Sequence, residues 1–579
     1  MNSKSARKNR ERLAREQSLV PRSPEAPLKM VLCYPGRYSV AMANLGFQRV
    51  FELFNRSEGV YCDRAFFPDP QELREHFDKR IPITGIESQK PLSAFDVVAF
   101  SFAFELDYVP ALEMLWFSRI PLRSGERQKT SGRKTGFPLL MAGGIAISAN
   151  PEPMAEFMDL VVIGEAEPVI APLLESLRGR TFRAGCEELR EKLSRIPSVY
   201  VPSAYQLEYD DSGVLRSRVA LAPASETIKR AAASEDELPA WQRIFSPEME
   251  FSELGLIELM RGCRRGCRFC LEGYFYRPVR EAKLKAVLAG ISELRRFRNK
   301  LGLIAPLVPD YGQFRELLLH LAGEDIPFSV SSLRMESLSE PLLALLKKSG
   351  NRTITLAPET GSLRLKCLVN KEMSEERVLQ GIKLVGQCRF ERVKLYYQAG
   401  FPEESLSEID ALVDSVYELQ NALASGAGLK KYPGVVEVCV NPFVPKAWTA
   451  FQWLAVEPRA GLEQKFNRLR EKLGREPGLV LKLGSVREAV LQAVLSRGDR
   501  RAGSIIEDLA LGRRSLNQVL RDEKICRFYL RSRGLEEVLP WDFIRPGVKK
   551  SWLRSELEKA VMGKISPGCR QGCRECGAC

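Results

Sequence analysis

Short apolar runs separated by amphipathic stretches dominate the chain. Residues 30–34, 96–101, 138–142 and 160–163 are each four to six mostly apolar positions, the pattern of strands buried on both faces. A loop with Asn44 and Gly46 and a helical pattern over 47–54 separate the first two runs. Strands alternating with helices predict an α/β class with a doubly wound parallel sheet over residues 30–222. Ligands of such sheets bind beyond the carboxyl ends of the strands, where Ser101, Gly143 and Gly144 fall.

A second series follows. Apolar runs at 254–260, 301–308, 328–334, 353–359, 392–396 and 435–440, with helical stretches between them, predict six parallel strands of a partial barrel over 253–453. Arg334, Glu359 and Lys394 are placed at the working, carboxyl ends of these strands, and each is a charge that an apolar strand does not carry without a partner. Residues 223–252 mix charged and small residues with prolines and read as a linker; 454–563 read as mainly helical, and 564–579 as a cysteine-rich tail. Residues 1–29 carry Lys4, Arg7, Lys8, Arg10, Arg12 and Arg15 among few apolar positions, the pattern of a disordered basic tail.

Composition narrows the class. At roughly 150 residues per domain, 579 residues make three or four domains, and 45% hydrophobic content makes them folded ones. No apolar run approaches the roughly 20 residues of a bilayer span and no apolar segment follows the basic N-terminus, so a cytoplasmic location is expected. The net charge of +14 admits RNA or another anionic partner at the basic tail, or a solvated surface, and no RNA-recognition aromatic signature accompanies it. In a reducing compartment, 14 cysteines point to metal ligation rather than disulfides. Histidine is limited to His76, read as lying on a helix surface, and His320, which restricts any chemistry that needs imidazole.

The cysteines fall into two tight groups. Cys263, Cys267 and Cys270 follow an apolar strand and can hold three irons of a four-iron, four-sulfur cluster, leaving the fourth open to a ligand. Structural zinc requires four closed ligands, and no fourth Cys or His lies nearby. Gly262 and Gly266 let the loop fold around a cube, and Arg261, Arg264, Arg265 and Arg268 are expected to lower the thiol pKa values and offset the cluster's charge. Cys569, Cys573, Cys576 and Cys579 form Cys-x3-Cys-x2-Cys-x2-Cys, a full ligand set for a second cluster or a zinc.

The Cys-x3-Cys-x2-Cys spacing with Phe269 before the last cysteine resembles the radical S-adenosylmethionine superfamily. Residues 258–263 through 274–280 look like its subgroup with an N-terminal cobalamin-binding-like domain, and the similarity runs from about residue 30 to the C-terminus. The resemblance implies that S-adenosylmethionine chelates the open iron through its amino and carboxylate groups. An electron from the cluster, supplied by a one-electron reductant such as flavodoxin or ferredoxin, then releases a 5′-deoxyadenosyl radical. By the same resemblance Arg334 pairs with the methionyl carboxylate and Glu359, in Glu359-Thr360-Gly361, accepts from the ribose or amino group. Gly400 and Pro402 look like the turn beside the adenine, and Phe269, Gly361 and Lys394 complete the expected cofactor-binding set.

Two departures matter. The family's Gly-Gly-Glu segment after the second strand is replaced by residues 308–312, leaving the partner of the S-adenosylmethionine amine unassigned. Ser101, Gly143 and Gly144 match part of the corrin-binding pattern, yet its Asp-x-His-x-x-Gly loop is absent. Two readings stay open: cobalamin bound without a protein histidine, or a domain that keeps the fold without the corrin. The first implies methyl transfer; the second implies a methylthiotransferase-like or RNA-modifying enzyme. A non-enzymatic rival is an iron–sulfur protein that binds RNA or acts as a sensor.

Overall fold

The computed structural model describes residues 3–129, 136–178, 187–331, 333–371, 373–570 and 572–579. The chain divides into two compact units, the first of Met1–Glu253, Val494–Asp522 and Glu536–Pro546, the second of Leu254–Ala493, Glu523–Leu535 and Gly547–Cys579.

The first unit is built on a six-stranded sheet of β1 (Leu28–Tyr34), β2 (Val60–Phe66), β3 (Val97–Ser101), β4 (Leu139–Gly143), β5 (Leu160–Val162) and β6 (Val199–Tyr200), in the order β2-β1-β3-β4-β5-β6. All pairs are parallel except β5 with β6. This is the doubly wound topology, and the strand order reverses between β1 and β3.

Hydropathy does not reveal β2, because Asp63 and Arg64 interrupt its apolar run although both are completely buried. Arg64 lies 2.7 Å from Glu16 and 2.6 Å from Glu87. Asp63 accepts the N–H groups of Arg64, Glu87 and Ser88 at 2.7, 2.9 and 2.9 Å. Charges survive inside the sheet because each is paired and hydrogen-bonded.

Three sequence expectations are corrected here. The basic tail is the helix Ser3–Arg15, not a disordered segment. Its cations meet carboxylates from distant parts of the chain: Lys8 reaches Asp69 and Glu72 at 2.5 and 2.9 Å, Arg12 reaches Glu248 at 3.0 Å, and Arg15 also pairs with Glu248. The expected linker belongs to the first unit, since Ile228–Lys229 pairs in parallel with Ile544–Arg545 and Ile244–Phe245 pairs antiparallel with Gln17–Ser18. His76 is buried, with Nδ1 2.8 Å from the Ile81 carbonyl and its ring against Phe117, so it is a core residue rather than a surface one.

The second unit carries β7 (Leu254–Glu258), β8 (Lys300–Ile304), β9 (Phe328–Val330), β10 (Thr353–Glu359), β11 (Arg392–Ala399), β12 (Val435–Pro442) and β13 (Leu479–Leu483). β7-β8-β9 and β10-β11-β12-β13 are parallel sheets, and a parallel bridge between Leu333 and Leu356 joins them. Strand order follows chain order, so the carboxyl ends share one edge, as a partial barrel requires. The barrel has a seventh strand where a helical region was expected: β13 pairs with β12 from Val436↔Leu479 to Val440↔Leu483. Five residues, Leu-Val-Leu-Lys-Leu, alternating half-buried and exposed, are too short a run to separate strand from helix by period.

Among the described residues no helix is long and apolar enough to cross a membrane, and every described cysteine is free.

Candidate metal centre and cofactor site

β7 ends at Glu258, and the short strand Met260–Arg261, paired antiparallel with Arg280–Glu281, carries the chain into the cysteine loop. Cys263, Cys267 and Cys270 therefore stand at the carboxyl end of the first barrel strand, and Cys270 leads into the helix Leu271–Phe275. The Cys270 N–H donates to the Cys267 carbonyl at 3.0 Å, and the Arg265 N–H lies 3.4 Å from the Cys263 sulfur. Phe269 is half-buried within the turn.

The loop arginines do not act as expected. Arg261 pairs with Glu258 at 3.0 Å, Arg264 with Glu281, Arg265 with Asp310 at 2.7 Å and Arg268 with Glu556 at 3.3 Å. Their charge is spent on carboxylates. Burial instead pushes the Cys263 thiol up to about 11 and Cys270 further, and the neighbouring Cys267 adds to both. Thiols held this way lose their protons when a metal takes them.

The three thiols stand in one eight-residue turn, closed by the Cys270 N–H on the Cys267 carbonyl, and their chemistry fits an iron–sulfur cluster with one open corner. Among the described residues no three His, Cys, Asp or Glu side chains converge at the spacing of a single metal ion. Three cysteines in one short turn, with no fourth Cys or His beside them in sequence, are the donor set of a four-iron cluster rather than of a closed zinc site.

Glu359 is the last residue of β10 and adopts φ 68°. Its Oε1 lies 2.9 Å from Lys371 Nζ and its Oε2 accepts from Gln398 Nε2 at 2.9 Å. Arg334 lies beyond the end of β9, is largely enclosed and pairs with Glu336. Gly400 follows β11 and donates its N–H to Glu404 at 2.6 Å. Gly361 is required by packing, since a Cβ there would stand 2.1 Å from the Ala411 carbonyl oxygen in the helix Leu406–Gly426.

Lys394 is a correction. It is the third residue of β11, in register with Thr355 and Glu437, and so lies toward the amino end of the barrel. Its Nζ is 3.6 Å from Glu437, which Arg392 and Lys482 also face.

Several residues of the site escaped sequence reasoning. Gln398 had a readable signal, a lone amide near the end of an apolar strand like Glu359. Lys371 had none, because it sits in an irregular polar turn. Asp310, in the segment that departs from the family pattern, holds Arg265 bidentately at 2.7 and 2.8 Å.

The four-cysteine tail lies on this same loop. The Cys569 N–H donates to the Arg264 carbonyl at 2.6 Å. Asn370 bridges the two, donating from Nδ2 to the carbonyls of Gly266 and Ser566 at 3.0 and 3.1 Å and accepting the Ser566 N–H at 2.8 Å. Arg268, completely buried, donates to the carbonyls of Cys367 and Lys564 at 2.9 and 2.7 Å. Burial raises the Cys569 thiol, Arg277 draws it down, and the charges of Cys579, Cys576 and Cys573 raise it again.

In the first unit Ser101 and Gly143 end β3 and β4 side by side, in register. A Cβ on Gly143 would meet nothing closer than Val162 at 3.9 Å, and Phe104, 42% exposed, follows Ser101 by one turn. Two small, half-buried residues and one exposed aromatic ring border this edge, with no bulky side chain against Gly143. Gly144 is explained otherwise: at φ 107° a Cβ would stand 2.4 Å from the Phe102 carbonyl oxygen. With His76 committed to the core, no imidazole of this unit faces that edge.

A three-thiolate loop at the carboxyl end of the first strand of a parallel partial barrel defines an iron–sulfur enzyme that holds its substrate against an open iron. Residues 257–416 match the Radical SAM superfamily, and residues 46–202 match Radical SAM proteins, N-terminal. The two matches span more than half of the chain, which belongs to the radical S-adenosylmethionine superfamily and is an enzyme using a four-iron, four-sulfur cluster and S-adenosylmethionine. The uncharacterized protein MJ0966 of Methanocaldococcus jannaschii is 26% identical over 463 residues, covering 79% of this chain and 90% of that protein. The cytidylyl-2-hydroxyethylphosphonate methyltransferase of Streptomyces wedmorensis is 27% identical over 203 residues, covering 33% of this chain and 37% of that protein. The structure of the radical S-adenosylmethionine methyltransferase TsrM from Kitasatospora setae, with a tryptophan substrate and a SAM analog bound, is 15% identical with a TM-score of 0.41, covering 71% of this chain and 72% of that one.

Proposed function

We propose that the enzyme transfers a methyl group to an unactivated carbon, using the radical chemistry of the Cys263 loop together with cobalamin held at the carboxyl edge of the N-terminal sheet. The observation that carries this is the Ser101–Gly143 pair at the carboxyl ends of β3 and β4, beside the β1/β3 point at which the strand order reverses and where doubly wound sheets take their ligands. The partial likeness to a methyltransferase of Streptomyces wedmorensis supports the same reading.

The cluster and S-adenosylmethionine supply the 5′-deoxyadenosyl radical, and cobalamin, when bound, supplies the methyl group. The chain positions them. Glu359, fixed by Lys371 and Gln398, presents its remaining lone pairs to the ribose or amino group, and Arg334 supplies a cation toward the methionyl carboxylate. Ser101 and Gly143 bound the corrin, with Phe104 beside them. A one-electron reductant is required. Of the basic residues on the N-terminal helix, Lys8, Arg12 and Arg15 are engaged with carboxylates, so these three offer nothing to the RNA reading.

The test is anaerobic protein reconstituted with iron, sulfide and hydroxocobalamin. The expected result is about one cobalt per chain, 5′-deoxyadenosine on reduction with S-adenosylmethionine, and loss of cobalt but not of iron in Ser101→Trp. Formation of 5′-deoxyadenosine without cobalt uptake would remove the methyl-transfer reading and return sulfur insertion as the better one.

A further inference from the structure

We propose that Cys569, Cys573, Cys576 and Cys579 hold a second iron–sulfur cluster that feeds single electrons to the cluster on Cys263, Cys267 and Cys270. The relay rests on the reading of the Cys263 loop as a cluster site.

Three observations carry it. The tail presents four thiols within eleven residues, a complete ligand set whose spacing is that of a ferredoxin run in reverse, whereas four-cysteine zinc sites commonly divide into two separated pairs. The segment that carries them is folded back on itself, with the Cys573 N–H on the Arg570 carbonyl at 3.1 Å, the Gly577 N–H on the Arg574 carbonyl at 3.2 Å and the Lys549 N–H on the Cys576 carbonyl at 2.8 Å. The segment is also fastened to the first cysteine loop. Cys569 N–H reaches the carbonyl of Arg264, the residue next to Cys263, and Asn370 spans from Gly266 to Ser566. Arg268, between Cys267 and Cys270 in sequence, holds the Lys564 carbonyl.

Exposure gives the arrangement a direction. Cys576 is 3% exposed, and the Lys549 N–H fixes its carbonyl at 2.8 Å, whereas Cys579 is open to solvent. The loop thiols Cys263, Cys267 and Cys270 are all half-buried, and none is open to solvent as Cys579 is. Arg570 and Arg574 are exposed on the tail, in contrast to the ion-paired arginines of the loop, and offer a basic landing point for an acidic electron carrier.

The electron count closes. A reduced carrier of the flavin or iron–sulfur class gives one electron to the tail cluster and is itself oxidised by one. The tail cluster then gives that electron to the loop cluster and returns to its oxidised state. No bond forms or breaks and no proton moves in either step. Zinc, which has no second oxidation state here, is unable to serve.

The experiment compares the anaerobically reconstituted full chain with Cys573→Ser and with Cys579→Ala, the latter altering only the exposed terminal residue. The expected wild type contains about eight irons and no zinc, and its reduced electron paramagnetic resonance spectrum shows coupling between two centres. Each variant falls to about four irons, loses the coupling and keeps a loop signal that shifts with S-adenosylmethionine. Reduction of that loop by reduced flavodoxin slows by an order of magnitude or more. About four irons with one zinc in the wild type would overturn the proposal, as would eight irons with loop reduction equally fast in both variants. A wild-type signal indifferent to S-adenosylmethionine would overturn the loop reading and the relay with it, while the iron count would still decide whether the tail holds a cluster.

Discussion

Lys371 Nζ stands 2.9 Å from Glu359 Oε1, with both side chains largely enclosed. Glu359 closes β10 at a positive φ, and Gln398 from β11 holds its other oxygen, so the carboxylate is fixed from two sides before any ligand arrives. Glu359→Gln should weaken S-adenosylmethionine binding by about 1–3 kcal/mol, because a charge-assisted acceptor is lost. Titration of the reduced cluster's spectrum with S-adenosylmethionine measures this. Unchanged affinity with lowered stability would make the Glu359–Lys371 pair a structural one.

Alanine at Cys263, Cys267 or Cys270 should each remove the loop cluster. Burial holds Cys263 and Cys270 in their protonated range, and the arginines are committed to Glu258, Glu281, Asp310 and Glu556, so two remaining thiols have no cationic help in retaining iron. The measured outcome is a loss of about four irons per chain and no detectable 5′-deoxyadenosine. A variant that still makes the nucleoside would show that the loop is not the radical source.

Both sheets were legible because their strands are apolar runs bounded by turns, and the metal loop because its thiols are contiguous in sequence. What escaped depends on partners that only folding supplies. β2 reads as polar until Arg64 meets Glu16 and Glu87. The helix Ser3–Arg15 reads as a disordered polycation until Asp69, Glu72 and Glu248 neutralise it. The loop arginines read as thiolate activators for the same reason in reverse: a cation's neighbour in sequence is not its partner in space. Lys394 was misplaced because β11 runs to Ala399, three residues past the apolar stretch that marked it.

Arg268 offers a test of how tightly loop and tail are joined. It is completely buried, faces Glu556, and donates to carbonyls of two other segments. Arg268→Met leaves Glu556 with less charge compensation and strands those carbonyls, for an expected loss of about 3–5 kcal/mol. Arg268→Lys keeps the charge without the planar fork and should fall between. Denaturant unfolding of the anaerobic protein, with iron counted alongside, reads the effect. Wild-type stability in Arg268→Met would mean that the tail is held by other contacts.

The acid limb of stability should be set in part by Glu152 of the first unit. This carboxylate is completely buried, accepting from Tyr200 at 2.5 Å, from Arg218 at 2.9 Å and from Arg500 at 3.2 Å. Burial alone would raise its pKa, but Arg218 and Arg500 outweigh it and pull the carboxyl down from 4.5 to about 2. Because the folded value lies below the unfolded one, the stabilisation is complete above about pH 4.5 and is lost as pH falls through about 2. Arg500 reaches Glu152 from a segment that returns to the first unit late in the chain, so the same carboxylate also ties that segment down. Glu152→Gln leaves two buried guanidinium groups undercompensated and should cost about 3–5 kcal/mol at neutral pH while flattening the loss of stability between pH 4.5 and 2. Denaturant midpoints collected across that range decide it: an acid limb as steep in the variant as in the wild type would place the responsible carboxylate elsewhere.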